Sequence, residues 1–267
     1  MTPKKELLAK TLYEDSDILV VDKPAGLVVN RSESVKEETL QDQLAKYFNL
    51  KTGDFGIGGR AGIVHRLDRE TSGVLLIAKT VEAFDFLQKQ FKEREVKKVY
   101  VVLVHGLVKE KDGVIEGKLG RIGKFGKFGV NPVSGVSRES RTDFQVGGHY
   151  QFDRNRFDVL IHQNKLARSR INYLNRHAKD YSLLHLFPQT GRTHQVRVHL
   201  KSIGHAIVSD PLYDPAKLLK FDRLFCPRLF LHATRLSFLH PVTRKRVEFS
   251  SRLPNDLKGA ILYLEEI

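Results

Sequence analysis

The sequence predicts an α+β chain built on a bent, largely antiparallel or mixed sheet with flanking helices. Three observations lead there. Short β-branched and aliphatic runs recur along all 267 residues. Segments with helical spacing lie between some of them, without the regular strand–helix alternation of a parallel βαβ fold. No linker-like stretch and no tandem repeat interrupts the chain, so residues 1–267 read as one domain carrying basic loops at about 117–129 and 147–180.

Asp17-Ile18-Leu19-Val20-Val21-Asp22 is a strand that ends in the turn Lys23-Pro24-Ala25-Gly26. Residues 39–50 place Leu40, Leu44, Tyr47 and Phe48 on a helix face. Residues 53–62 hold five glycines and form a loop. Val74 to Ala78 is a buried strand, and Thr80 caps a helix that runs to about Arg94 with Phe84, Leu87 and Phe91 inward. Residues 99–104 form another strand, closed by Gly106.

From Gly117 to Gly129 a glycine stands at every third position. The run is too short and too poor in proline for a triple helix, so it reads as a mobile basic loop or an irregular hairpin. Residues 147–179 are rich in Arg, Asn and His, with room for a basic helix that turns Leu166, Ile171 and Leu174 to one side. Residues 181–187 are a strand. Thr193 is placed to cap a helix reaching about Lys201, with Gly204 at its end, and residues 229–239 supply the last strand.

Composition narrows the function classes. Lys and Arg number 45 against 31 Asp and Glu, a net charge of +14 that favours a polyanionic partner such as nucleic acid. No apolar run approaches the roughly 20 residues that cross a bilayer, and the polar N-terminus lacks a signal sequence, so the reading is of a cytoplasmic protein without a membrane partner. Cys226 is the sole cysteine, which excludes an internal disulfide or a cysteine zinc site. Trp is absent, so any base stacking falls to Phe, Tyr, His or Arg.

Three constellations carry chemistry. His65-Arg66-Leu67-Asp68-Arg69 sets one carboxylate among cations, which favour its ionised form. Thr190-Gly191-Arg192-Thr193-His194-Gln195-Val196-Arg197-Val198-His199 crowds Arg and His at a helix start, where anions are favoured. Helical spacing sets Arg192, Gln195 and His199 on one side, and His194, Arg197 and Lys201 on another. His194 and His199 are five apart rather than four and lack a nearby Glu, so no metal is expected there. Lys97-Lys98-Val99-Tyr100 puts an aromatic beside two lysines at a strand mouth. Taken singly, each fits an ordinary ion cluster, a solvated basic helix or an edge aromatic.

In this order and spacing the chain resembles the RluA-type family of pseudouridine synthases. The resemblance rests on Val20-Val21-Asp22-Lys23-Pro24-Ala25-Gly26-Leu27-Val28, on the segment from Gly62 through His65-Arg66-Leu67-Asp68 to Gly73, on Lys97-Lys98-Val99-Tyr100 and on the Thr190 to His199 motif. Gly204-His205, Asp210-Pro211-Leu212-Tyr213 and Leu231-His232-Ala233 support it. It implies the pseudouridine synthase fold with a central basic cleft, and cofactor-free isomerisation of uridine to pseudouridine in ribosomal or transfer RNA. It also implies a catalytic Asp68, an active-site Tyr100 near the uracil, and an Arg192 that pairs with the aspartate. Arg66, Arg69, Lys97, Lys98, His194 and Arg197 are the expected RNA contacts, with no metal ligand, in a monomer.

The chain also departs from that pattern. Fewer than twenty residues precede the first motif, so a stand-alone catalytic domain without the S4-type RNA-binding domain is expected. Asn30 stands where the family often has His, and the 147–180 stretch is longer and more basic than usual. An inactive RNA-binding relative and another aspartate-dependent enzyme acting on RNA bases are the competing readings.

Overall fold

The structure, a computed structural model, describes residues 7–33, 35–51, 56–122, 127–133 and 135–267. Its strands are β1 Lys10–Glu14, β2 Ile18–Lys23, β3 Ser72–Ala78, β4 Lys97–His105, β5 Asp112–Ile122, β6 Lys127–Val130, β7 Ser137–Phe152, β8 Asp180–Pro188, β9 Leu231–Leu239, β10 Arg246–Ser250 and β11 Leu264–Glu266. Its helices are α1 Leu40–Tyr47, α2 Val81–Glu93, α3 Arg154–Gln163, α4 Arg168–His177, α5 Gln195–Ser202, α6 Ala216–Asp222 and α7 Asn255–Ile261. The chain divides into two compact units, Met1–Lys98 with Ala233–Ser251 and Val99–His232 with Arg252–Ile267.

In the first unit the strands run in the order β1-β2-β3-β9, and β10 pairs with β9. β2 and β3 are antiparallel, with Lys23 opposite Gly73 and Asp22 opposite Val74. That register sets the turn after β2 beside the chain entering β3. Every residue of β3 is buried, and Ile18, Val20, Val74 and Leu76 pack with Ala83 and Leu87 of α2. Each large aliphatic side chain so buried contributes about 1.5–3 kcal/mol. Thr80 caps α2 by accepting the Ala83 N–H at 3.1 Å. Thr39 and Asp42 form a reciprocal capping box at α1.

In the second unit the order is β4-β8-β7-β5-β6, with β11 on β7. The pairs β4–β8, β8–β7, β7–β5 and β5–β6 are all antiparallel. Its core gathers Val102, Val104, Tyr181, Leu184 and Leu186 with Phe157 and Leu174 from α3 and α4, and with Phe221, Phe225 and Leu257. Cys226 is wholly buried there, and burial pushes its thiol up to about 12.

Two segments are more regular than basic loops, the first through the antiparallel pairing that the hairpin alternative requires. Residues 117–129 were expected as a basic loop or irregular hairpin, and 117–122 continue strand β5, which pairs with β6 through Leu119–Val130 and Ile122–Lys127. Residues 123–126 lie outside the described residues. Glycine suits this strand because neighbours cover its face. A Cβ on Gly117 would stand 2.5 Å from Val130, and one on Gly113 would stand 2.7 Å from Phe144. Residues 147–180 are not a loop either. They finish β7, form the α3–α4 helical pair and enter β8, and α4 turns Leu174 into the core as the sequence suggests.

Candidate active site

The segment from Gly62 to Gly73 is tied to β3 at both ends. Gly62 has φ +80, and a Cβ there would stand 1.9 Å from the Ala78 carbonyl oxygen. Gly73 has φ +122, and its Cβ would stand 2.2 Å from the Ala233 carbonyl oxygen. Only glycine permits both the backbone conformation and the close approach. Between them, Ile63 bridges to Ile77, and the Leu76 N–H donates to His65 Nε2 at 3.0 Å. The imidazole lies over Phe91 at 4.8 Å between centroids. Burial, aided by the Lys98 charge, lowers its pKa to about 3, so it acts here as a neutral acceptor.

Asp68 opens a turn in which its carbonyl accepts the Thr71 N–H at 3.1 Å. The carboxylate residue is half-buried, while Leu67 beside it is buried and anchors the turn. The next carbonyl, that of Arg69, accepts the Gly26 N–H at 2.8 Å. It also accepts from Lys23 Nζ at 3.1 Å. Lys23 is wholly buried and donates as well to the carbonyls of Pro24 at 2.8 Å and Leu27 at 2.9 Å. One ammonium thus joins the turn after β2 to the turn that carries Asp68. Sequence reading saw Lys23 as part of a turn and missed this role. A lysine closing an otherwise largely apolar strand, after Asp22, was the available signal.

In the second unit the Arg192 motif is organised by Gln195. Its Oε1 accepts from the Thr190 hydroxyl at 2.6 Å and from the Arg192 N–H at 3.0 Å. Its Nε2 donates to the Arg141 carbonyl and to Thr142 Oγ1, both at 3.0 Å. Thr142 then donates to His199 Nδ1 at 2.9 Å, and His199 Nε2 donates to Ser140 Oγ at 2.8 Å. Burial lowers His199 to about 4, which fixes it as a neutral link. Arg192 sits half-exposed in the loop, with Nε donating to the Glu139 carbonyl at 3.2 Å.

Residues 17–202 match the profile of the family described as RNA pseudouridylate synthase. The chain belongs to the RNA pseudouridylate synthase family. It is 36% identical over 257 residues to ribosomal large subunit pseudouridine synthase D of Nitrosomonas europaea, covering 94% of this chain and 64% of that protein. It is 35% identical to an uncharacterized RNA pseudouridine synthase of Bacillus subtilis, covering 93% of this chain and 70% of that one. Among solved structures, human RNA pseudouridylate synthase domain containing 1 superposes with a TM-score of 0.68 at 27% identity, over 100% of this chain and 92% of that one.

Against the pseudouridylate synthase motifs, the structure corrects three positions. The helix expected to start at Thr193 starts at Gln195, after His194 in the left-handed region at φ 54. Arg192 therefore precedes the helix and does not share a helical face with Gln195 and His199.

Arg197, expected to contact RNA, is buried and donates to both Asp210 oxygens at 2.8 and 2.7 Å, with its guanidinium 5.1 Å from the Tyr213 ring. It holds the Asp210–Tyr213 turn instead, because a buried arginine needs a fully engaged carboxylate.

Lys98, also expected at the RNA surface, is half-buried near His65, and burial lowers it to about 8. Arg66, Arg69 and Lys97 are exposed, as RNA contacts require, although Arg69 NH1 meets Glu37 at 2.8 Å.

His194 Nδ1 accepts from the Tyr213 hydroxyl at 3.0 Å, which itself accepts the Phe128 N–H. Tyr100 lies half-buried on β4 opposite Leu186. Among the described residues, a group of side chains close enough to share a metal lies away from both histidines, where ligand atoms of His105, Asp214 and Asp222 stand within 4.8 Å of one another. There His105 Nε2 meets Asp222 Oδ2 at 2.8 Å, and burial beside Asp222 holds the Asp214 carboxyl far above the usual range.

Proposed function

We propose that this chain isomerises uridine to pseudouridine in RNA, with large-subunit ribosomal RNA as its substrate. The observation that carries the reading is the Asp68 turn, a carboxylate flanked by Arg66 and Arg69 and held on a braced loop inside the region that matches the family profile. The ribosomal substrate rests on the printed name of the Nitrosomonas relative.

The chemistry asks for no oxidant and no donated group. The N1–C1′ bond breaks, the uracil turns, C5 bonds to C1′, and the proton leaving C5 is balanced by one gained at N1. Asp68 serves either by attacking C1′ or by assisting uracil departure and proton loss. Tyr100 is the aromatic beside the uracil, and Arg192 supports the carboxylate and the opening of the RNA. The target base must leave its stack, at a cost of a few kcal/mol. Contacts from exposed Arg66, Arg69 and Lys97 to phosphate offset that cost.

The test is Asp68→Asn, which keeps shape and removes the charge. Turnover on an unmodified large-subunit ribosomal RNA transcript is expected to fall by at least about a thousandfold, with RNA affinity near wild type. Arg192→Lys keeps charge but loses the planar fork, and it too is expected to be slow. Pseudouridine formed by Asp68→Asn preparations free of wild-type protein would refute the assignment.

A further inference from the structure

The second unit carries a basic edge that neither the catalytic motifs nor the core uses. Residues 159–179 contain no Asp or Glu and five Lys or Arg. Residues 215–221 likewise contain no acid, and carry Lys217 and Lys220. α4 and α6 lie together, with Arg170 NH2 donating to the Lys217 carbonyl at 3.1 Å. The one carboxylate of α6, Asp222, is wholly buried and turned onto His105. Arg168, Arg176, Lys217 and Lys220 are exposed.

The neighbouring helix shows what a balanced surface looks like. At the start of α3, Arg154 pairs with Asp158 at 3.2 Å, and the Asp153 carboxylate caps the helix through the Arg156 N–H. No such carboxylate stands within α4 or on the exposed side of α6. Unbalanced like charges destabilise a surface and attract polyanions to it. The one tyrosine on this edge, Tyr173, is already engaged. Its ring lies 4.5 Å from the His177 ring and 5.1 Å from Lys217 Nζ. Exposed cations, not free aromatic faces, dominate the edge, as phosphate contacts require.

We propose that the α4–α6 edge binds the phosphate backbone of the RNA substrate, as a docking surface separate from the residues that act on the uridine. The inference rests on the proposed activity on RNA. It assigns α4 and α6 a backbone-holding role, with Arg168, Arg176 and Lys220 as the phosphate contacts.

The test compares full-length protein with the variant Arg168→Glu/Arg176→Glu/Lys220→Glu. A control variant, Lys92→Glu/Lys109→Glu/Lys258→Glu, makes the same charge change at exposed positions elsewhere. The probe is an unmodified large-subunit ribosomal RNA transcript, with Kd measured at several salt concentrations. Losing about three phosphate contacts should flatten the log–log salt slope by about 2–3 and weaken binding at least tenfold, roughly. The control should bind more tightly than the α4–α6 variant, and the single-turnover rate on saturating RNA should stay within about twofold of wild type. The Arg168→Gln/Arg176→Gln/Lys220→Gln variant repeats the measurement if charge reversal unfolds the helices. An unchanged Kd and slope in a folded variant, or an equal loss in the control, would overturn the proposal. A rate defect with unchanged Kd would also overturn it. Failure of the parent reading looks different: wild-type protein would then make no pseudouridine, whatever these variants do to binding.

Discussion

The Asp68 turn and the Arg192 loop are both irregular segments that present a charged side chain, yet they are held by opposite means. The first is fixed through its backbone. Gly62 and Gly73 press it against β3 and against Ala233, and Lys23 and Gly26 grip the Arg69 carbonyl. The second is fixed through side chains, in a chain of hydrogen bonds from Thr190 through Gln195 and Thr142 to His199 and Ser140. A backbone device tolerates no added atom, whereas a side-chain network tolerates changes of shape but not a lost partner. The two loops should therefore fail differently.

The largest effect is expected at Gly73. Gly73→Ala adds a Cβ 2.2 Å from a backbone oxygen at φ +122. Neither the strand nor Ala233 can yield cheaply, so the cost is about 3 kcal/mol or more, read as a fall in the denaturant midpoint. A variant as stable as wild type would show that the packing of this loop is loose.

Next comes Lys23→Met, which keeps the stem and removes the ammonium. The carbonyls of Pro24, Leu27 and Arg69 each lose this donor, at a combined cost of about 2–3 kcal/mol. Because one of them belongs to the Asp68 turn, kcat should fall while KM for RNA changes little. A stability loss with kcat intact would make Lys23 a purely structural residue.

Gln195→Leu tests the other device. It leaves the Arg192 N–H and the Thr190 hydroxyl without their acceptor, for a loss of about 1–3 kcal/mol. Arg192 then loses its placement, so Arg192-dependent turnover should drop although no charge has changed. Gln195→Glu still accepts both bonds but loses the two that Nε2 donates and sets a buried carboxylate against the Arg141 carbonyl, so it should not recover the rate.

This contrast also explains what could be read from the sequence. The α+β class, strands β2 and β3, the Thr80 cap and the basic helix near Leu174 were legible, since each depends on a local period or a local capping residue. The identities of Asp68 and Arg192 as candidates came from motif order. Burial was not legible. Arg197 and Lys98 read as surface cations, and only tertiary contacts show one engaged by Asp210 and the other desolvated near His65. The strand at Gly117 was hidden for a related reason: its glycines accommodate Val130 and Pro132 side chains that no window of sequence brings together. The start of α5 moved because Gln195, not Thr193, takes the Arg192 N–H.

A pH-dependent effect, absent near neutrality and growing with acid, separates the two loops by their histidines. His65 in the first and His199 in the second are both held neutral, with pKa values lowered to about 3 and about 4. In the unfolded chain each titrates near 6.5, roughly. Between those limits the unfolded state binds more protons than the folded one. The stabilising contribution is therefore complete above about pH 6.5 and is lost as pH falls toward the folded values, by about 1 kcal/mol per histidine per pH unit. His65→Gln and His199→Gln should each flatten the dependence of the denaturant midpoint on pH between about 6.5 and 4, by a similar amount. Gln can still accept the Leu76 N–H in the first loop, so His65→Gln should keep most of its neutral-pH stability. At His199 the group must accept from Thr142 and donate to Ser140 at opposite ends of a ring, which a Gln amide spans less well. That variant should lose stability at neutral pH as well. Equal neutral-pH losses would show that the second loop does not depend on its side-chain network in the way its geometry indicates.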